Sequence, residues 1–375
     1  DSFFNCLKIS ATSTFVNRDN KQYILAGYPW FKVRARDTFI ALPGSTLIIN
    51  EEAEFDKIMT PALAALKRYM KEQIKDNVIT EIEDPDIPLW AVWTVQQYAK
   101  YVSKEKATQK FGAFVKEVID YVVEGKAPNL TLRDNGLVYS KGTEKAISWM
   151  NTTEFGRPLI PRTGYLVEFN ALWYNALKFA LELGCVSDKA KAEGIAAKYE
   201  ENFAKIFTSP AGYLYDYVTD EYVEASVRPN QLWAIGLPYT PLSKPERKAA
   251  LDMVTKELLT PKGIRSLTPK AGMYRPYYWG NASERNVAYH NGAVWPWLLG
   301  AYTDAYLSVF TRSGVTFIKR RLSSYEEEMS RHCIGTLSEV YDGNPPFYGH
   351  GAQSLAINQA EVLRALRVVQ DYVPE

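Results

Sequence analysis

The strongest constraint on the fold of this chain is an alternation between two kinds of helical segment. Apolar residues recur at spacings of three and four over stretches 2–16, 37–49, 54–75, 88–103, 106–124, 165–184, 187–207, 228–237, 243–258, 290–309, 313–331 and 352–370, so the pattern predicts helices almost throughout. Segments such as Asn170 to Leu183 and His290 to Tyr306 are apolar nearly all round, as a helix surrounded by other helices must be. Segments such as Ser187 to Phe207 and Val315 to Glu328 carry Lys, Arg and Glu on one face, which suits an outer position facing water.

The predicted inner helices start near 37, 88, 165, 228, 290 and 352, a pitch of about 50 to 75 residues that is too irregular for a short sequence repeat but suits stacked helical hairpins. Six hairpins can close into a ring. The expected fold is therefore all-α, an (α/α)6 toroid forming one domain over residues 1–375. Short strands are expected only in loops, for example Gly212 to Val218 followed by Tyr222-Val223 across a turn at Thr219-Asp220-Glu221. Loops leading into inner helices are long (17–36, 76–87, 125–164, 208–227, 259–289 and 332–351), whereas returns such as Cys185-Val186 are short. Alternating helix direction then gathers the long loops on one rim.

The composition narrows the partners. A formal net charge of +1 supplies no electrostatic footprint for nucleic acid or an anionic membrane. Apolar runs fall far short of the roughly 20 residues of a membrane span, and no basic-then-apolar signal opens the chain, so the cytoplasm is the expected compartment. The start at Asp1, without an initiator Met, suggests a processed chain or a domain cut from a longer protein. Cys6, Cys185 and Cys333 lie far apart and form no metal-ligand spacing. Neither a metal nor an organic cofactor is expected.

The rim loops are where the chemistry concentrates. They carry Tyr28, Trp30, Trp149, Tyr277, Tyr278, Trp279, Tyr289, Trp295, Tyr341 and Phe347 among Arg36, Arg162, Arg228 and Arg285. Sugar rings present apolar C–H faces edged by hydroxyls, which aromatic rings and charged hydrogen-bonding groups recognise together. Cleaving a glycosidic bond needs a proton donor for the leaving oxygen and, with inversion, a second carboxylate that activates water. Asp37, Glu154, Glu168, Glu339 and Asp342 are the loop carboxylates available for such a pair. Asp37 could instead cap the helix that begins there. His290, expected to begin an inner helix, fits either a hydrogen bond to a sugar hydroxyl or a buried structural role.

Six stretches carry a resemblance. Ala26 to Phe31 with Arg36-Asp37-Thr38, Val167 to Leu177, Arg228-Pro229-Asn230-Gln231, Gly263 to Leu267, Ala288 to Trp297 and Gly335 to Glu339 are similar, in order, to the glucosidase domain of glycogen debranching enzymes. The resemblance implies an (α/α)6 toroid with inverting amylo-α-1,6-glucosidase activity, like glucoamylases and trehalases, acting on a branched α-glucan or oligosaccharide. It further implies that Arg36 and Asp37 hold hydroxyls of a terminal glucose and that Glu339 is the general base. Tyr28, Trp30, Trp149, Arg228, Asn230, His290, Trp295 and Tyr341 would then line the glucose subsite and branch point.

One departure stands out: the family's third loop usually reads Trp-Met-Asp, with the Asp as natural general acid, and here it reads Trp149-Met150-Asn151. An amide donates no proton at a useful pKa. Either a nearby carboxyl replaces it, the local correspondence is shifted, or hydrolysis is weak and the protein binds carbohydrate without cleaving it. The first is favoured, with Glu168 preferred to Glu154 because burial at the mouth of an apolar helix would raise its pKa. The acid and base carboxyls would then stand about 6.5–9.5 Å apart.

Overall fold

The apolar segments become the most deeply buried helices. In the computed structural model, which describes residues 2–373, the α-helices in chain order are α1 (Ser2–Thr12), α2 (Ala35–Ser45), α3 (Glu52–Glu72), α4 (Ile87–Tyr101), α5 (Lys104–Val123), α6 (Val167–Leu183) and α7 (Lys189–Phe207). They continue with α8 (Gln231–Gly236), α9 (Lys244–Leu258), α10 (Ala282–Tyr289), α11 (Leu298–Phe310), α12 (Val315–Ser323), α13 (Tyr325–Glu328) and α14 (Ala356–Asp371). Every residue of α2 is buried, as is every residue of α4 from Ile87 to Tyr98 and of α14 from Ala356 to Ala365. In α7 only Ala192, Ala196, Tyr199, Phe203 and Phe207 are buried, one apolar stripe at helical spacing.

Residue contacts separate the chain into two compact units, Asp1–Glu83 with Thr255–Glu375, and Asp84–Val254. In the first, α14 packs against α2, α11, α1 and α12. Gly44 makes the α2–α14 crossing possible, since a Cβ there would lie 1.9 Å from the carbonyl oxygen of Ala360. This unit also holds a five-stranded antiparallel sheet in the order Leu259–Thr260, Gly263–Arg265, Val294–Trp295, Val340–Tyr341, Gly349–His350. The register Arg265↔Val294↔Tyr341↔Gly349 ties three segments distant in sequence into one frame. In the second unit α6 is central, packing against α4, α5, α7 and α8.

Three boundaries differ from the pattern. The segment expected as one helix over 290–309 is divided: α10 ends with His290 as its C-cap, Val294–Trp295 joins the sheet, and α11 begins only after Trp297. Pro296 removes a backbone donor, and Gly292 sits at φ 148°, so helical hydrogen bonding cannot run through. The stretch 2–16 stops at Thr12 because Phe15–Arg18 pairs with Lys21–Ile24. The stretch 313–331 becomes a 3-10 turn, α12 and α13. The expected turn at 219–222 is present, with Val218 bridged to Val223, although Tyr217–Val218 finds its main partner in Tyr165–Leu166. Among the described residues, no helix is long and apolar enough to cross a membrane.

Candidate active site

In the first unit the candidate groups collect around Glu339. This residue leads into the strand Val340–Tyr341, and its backbone N–H donates to the carbonyl of Ala352 at 3.0 Å. The Asn358 amide of α14 donates to the carbonyls of Ser338 and Glu339 at 3.1 and 3.0 Å, which fixes the loop on the helix. The carboxylate is 2% exposed. Its Oε2 accepts the N–H of Ala352 at 2.6 Å, and its Oε1 accepts the hydroxyl of Tyr289. Gly351, at φ 80°, leaves room for this arrangement, because a Cβ there would fall 2.3 Å from Oε2.

Tyr289 is itself held. The Trp295 indole donates to its carbonyl at 3.0 Å and meets its ring edge-on at 4.6 Å, while His290 stacks on Trp295 at 5.4 Å. His290 and Trp295 are both buried, so they brace Tyr289. Beside them Asp342 accepts the backbone N–H of Tyr278 at 2.8 Å and lies 3.0 Å from Nε2 of His350.

Burial pushes the Glu339 carboxyl up, while the Tyr289 hydroxyl, the Ala352 amide and Arg34 pull it down and Asp37 pushes it up. Asp37 is pushed up to about 6, chiefly by burial, with Arg34 and Arg36 opposing and Glu81 adding to the rise. Arg34 and Arg36 each approach Glu81 at 3.8 Å. Asp37 does not cap α2: Arg34 is the N-cap residue and makes no side-chain cap bond, leaving Asp37 in the first turn, where the helix dipole favours negative charge. Trp30 and Tyr28 stay exposed on the adjoining loop. Tyr341, expected as a sugar platform, is corrected to a core residue: it is 0% exposed, its hydroxyl accepts the N–H of Ser338, and its ring faces Tyr325.

The second unit contains a different constellation. Arg162 lies between two carboxylates, with Nε and Nη2 donating to Asp216 at 2.7 and 2.9 Å, and Nη1 and Nη2 donating to Glu168. Nη1 also reaches the Ser148 hydroxyl at 3.2 Å. Asp216 accepts the Asn230 amide at 2.8 Å, and Asn230 in turn accepts the Trp149 indole N–H at 2.7 Å. Arg228 is buried in the same cluster, and loss of hydration pulls its pKa down. Burial pushes Glu168 up against the bidentate pull of Arg162. Both Glu168 oxygens are occupied by the guanidinium, which suits a residue that positions Arg162 better than one that hands a proton to a ligand. Asn151 is half-buried just before the hairpin Thr153–Glu154/Arg157–Pro158, which carries the half-buried Glu154.

Asp216, Arg34 and Glu81 belong to these clusters and were not singled out from the sequence. Asp216 did carry a signal, a carboxylate between two tyrosines in Tyr215-Asp216-Tyr217. Among the described residues no group of three or more His, Cys, Asp or Glu is arranged to hold a metal ion.

Comparison with known proteins identifies the family and the fold. The family described as amylo-alpha-1,6-glucosidase matches residues 9–364. The glycogen debranching enzyme of Saccharomyces cerevisiae is 23% identical over 394 aligned positions, covering 77% of this chain. The chain spans about a quarter (25%) of that relative's length. Among solved structures, a GH63 mannosylglycerate hydrolase from Thermus thermophilus superposes with a TM-score of 0.63 at 12% identity, covering 97% of this chain and 99% of that one. A GH78 rhamnosidase of Bacillus sp. GL1 gives a TM-score of 0.59 at 12% identity, covering 97% of this chain and 34% of the other. These likenesses show the fold class expected from the helix alternation, the all-α (α/α)6 class. Glu339, Asp37 and the Arg162 cluster thus lie within a glycoside-hydrolase family domain, and the chain belongs to the amylo-alpha-1,6-glucosidase family.

Proposed function

We propose that the protein hydrolyses α-1,6-linked glucose at branch points of a glycogen-like α-glucan, with inversion and with Glu339 activating the water. The observation that carries this reading is the setting of Glu339: a buried carboxylate oriented through both oxygens by neutral donors, with Arg34 and Asp37 close enough to act on its charge. A base must be ionised to accept a proton, and hydrogen bonds from a phenol and an amide favour the ionised form without neutralising it. Arg36 and Asp37 supply the charged hydrogen-bonding pair for hydroxyls of the terminal glucose, with Tyr28 and Trp30 on the adjoining loop. In the second unit Glu168 and Asp216 orient Arg162, and Asp216, through Asn230, orients the Trp149 ring for substrate binding.

Glu154 and Glu168 are the carboxyls proposed to serve as general acid in place of Asn151. A second reading, a carbohydrate-binding protein with impaired hydrolysis, is favoured by one specific observation. Both Glu168 oxygens are engaged by Arg162, while the resemblance implies that Asn151 replaces the family's acid.

Glucose release from a branched limit dextrin, comparing wild type with Glu339→Gln, separates the two. Release by wild type that is lost in the variant supports hydrolysis; oligosaccharide binding without release by wild type supports the second reading. NMR of the first-formed product should show the β-anomer, and an α-anomer would contradict direct attack by water. A substrate with fluoride as leaving group needs no acid, so a Glu168→Gln or Glu154→Gln variant that loses dextrin cleavage yet hydrolyses α-glucosyl fluoride identifies the acid.

A further inference from the structure

The 259–289 loop presents one face to solvent. Residues 275–279 alternate outward and inward although they form no sheet strand: Arg275, Tyr277 and Trp279 are exposed, while Pro276 and Tyr278 are half-buried. Tyr278 turns towards the Glu339 cluster, with its ring 5.6 Å from Tyr289 and 6.1 Å from His350. On the opposite face Tyr277 and Trp279 lie 5.5 Å apart with their rings tilted by 47°. They are 36% and 68% exposed. With Arg275, Ser283 and Glu284 they line an open cavity of about 330 Å³.

The backbone beneath these rings is pinned. The N–H of Arg275 donates to Asn291 at 2.7 Å, the N–H of Gly343 donates to Pro276 at 2.6 Å, and the N–H of Tyr278 donates to Asp342 at 2.8 Å. Beyond Trp279, a capping box between Asn281 and Glu284 fixes the start of α10. Large aromatic rings exposed on a fixed backbone are pre-organised for binding, because little further order is lost when a ligand arrives.

We propose that the Tyr277–Trp279 face is an accessory site for a linear α-1,4-linked glucan strand, the arm of the substrate that extends away from the glucose at Glu339. The proposal rests on the hydrolase reading for the identity of that arm. Three observations select the ligand. Two tilted rings match successive C–H faces of a curved sugar chain better than one flat apolar surface. Arg275 and Glu284 cancel in charge and bring donors and an acceptor to the edge, which suits an uncharged polyol. The face shares one backbone segment with the candidate site, whose inward residue is Tyr278.

Calorimetry with maltoheptaose tests this on the full chain carrying Glu339→Gln, so that turnover does not obscure binding. Adding Trp279→Ala should weaken maltoheptaose about tenfold, while Trp279→Phe retains most of the affinity and the affinity for glucose stays within about twofold. Unchanged maltoheptaose affinity in Trp279→Ala, or no maltoheptaose binding at all, overturns the proposal. So does an equal loss for maltoheptaose and glucose, which would mean that Trp279 only supports the fold. If Glu339→Gln keeps full glucose release while Trp279 still governs maltoheptaose binding, the hydrolytic assignment of Glu339 fails and the accessory site stands.

Discussion

Two clusters, one in each unit, hold buried carboxylates in opposite ways. Around Arg162, charge is cancelled by charge, because Glu168 and Asp216 each engage the guanidinium through both oxygens. Around Glu339, the oxygens are filled by a phenol and a backbone amide, and Arg34 acts on the carboxylate through space. A carboxylate clamped by a guanidinium has both oxygens taken up by its cation. One held by neutral donors keeps its charge available to a proton. The proposed function makes the Arg162 cluster structural and the Glu339 cluster chemical, and a variant in one should then not imitate a variant in the other.

The largest effect is expected for Glu339→Gln, which removes the base while keeping the shape. Glucose release should fall by about a thousandfold, with a melting temperature close to that of wild type. A rate within tenfold of wild type would break the comparison on the chemical side.

Arg162→Met should act on stability. It leaves Glu168 and Asp216 facing one another without their cation, a loss of about 3–5 kcal/mol readable as a lower urea midpoint. Glu168→Gln sharpens the contrast: a structural Glu168 loses stability and activity together, whereas an acid loses dextrin cleavage with the fold intact.

Why the pairing within the Arg162 cluster escaped the sequence while most helices did not follows from the range of the signals. The apolar circumference of α6 or α14 is local, so burial could be read from spacing alone. The pairing of Arg162 with Glu168 and Asp216 forms only once a loop folds onto the mouth of α6, and no periodicity announces it. Glu339 was legible through the resemblance of its Gly-rich loop, but its hydroxyl partner Tyr289 depended on where α10 stops. That helix was missed because Ala282 to Tyr289 is largely polar, although Asn281 followed by Glu284 offered the capping-box signal. Tyr341 misled because an aromatic in a loop sequence looks exposed until the strand Val340–Tyr341 takes it into the core.

A smaller effect with a definite pH sign is expected at Asp37. Its folded pKa is about 6 against an ordinary 3.8, so the folded chain holds a proton that the unfolded chain releases between these values. Stability contributed by this group is therefore present below about pH 4 and lost as pH rises through 6, a difference of about 3 kcal/mol. Asp37→Asn removes the penalty of ionising a buried group. The variant should melt higher than wild type at pH 8, match it near pH 4, and bind glucose poorly. A variant less stable than wild type at pH 8 would show that Arg34 and Arg36 need the charge, making this cluster more like the one around Arg162.

The smallest effect, and the most specific to the comparison, is expected for Tyr289→Phe. The phenol donates to Oε1 and favours the ionised form of Glu339, so its removal should raise the pKa of the base. A hydrogen bond to a charged group contributes about 1.5–3 kcal/mol, and a relaxed pocket that admits water recovers part of that. The acid limb of the kcat/KM profile should move up by about one pH unit, so that activity falls most on the acid side and approaches wild type as the solution becomes alkaline. A uniform loss at every pH would mean that Tyr289 merely fills space. An acid limb that stays in place would mean that Arg34 and the Ala352 amide, rather than the phenol, keep Glu339 ionised.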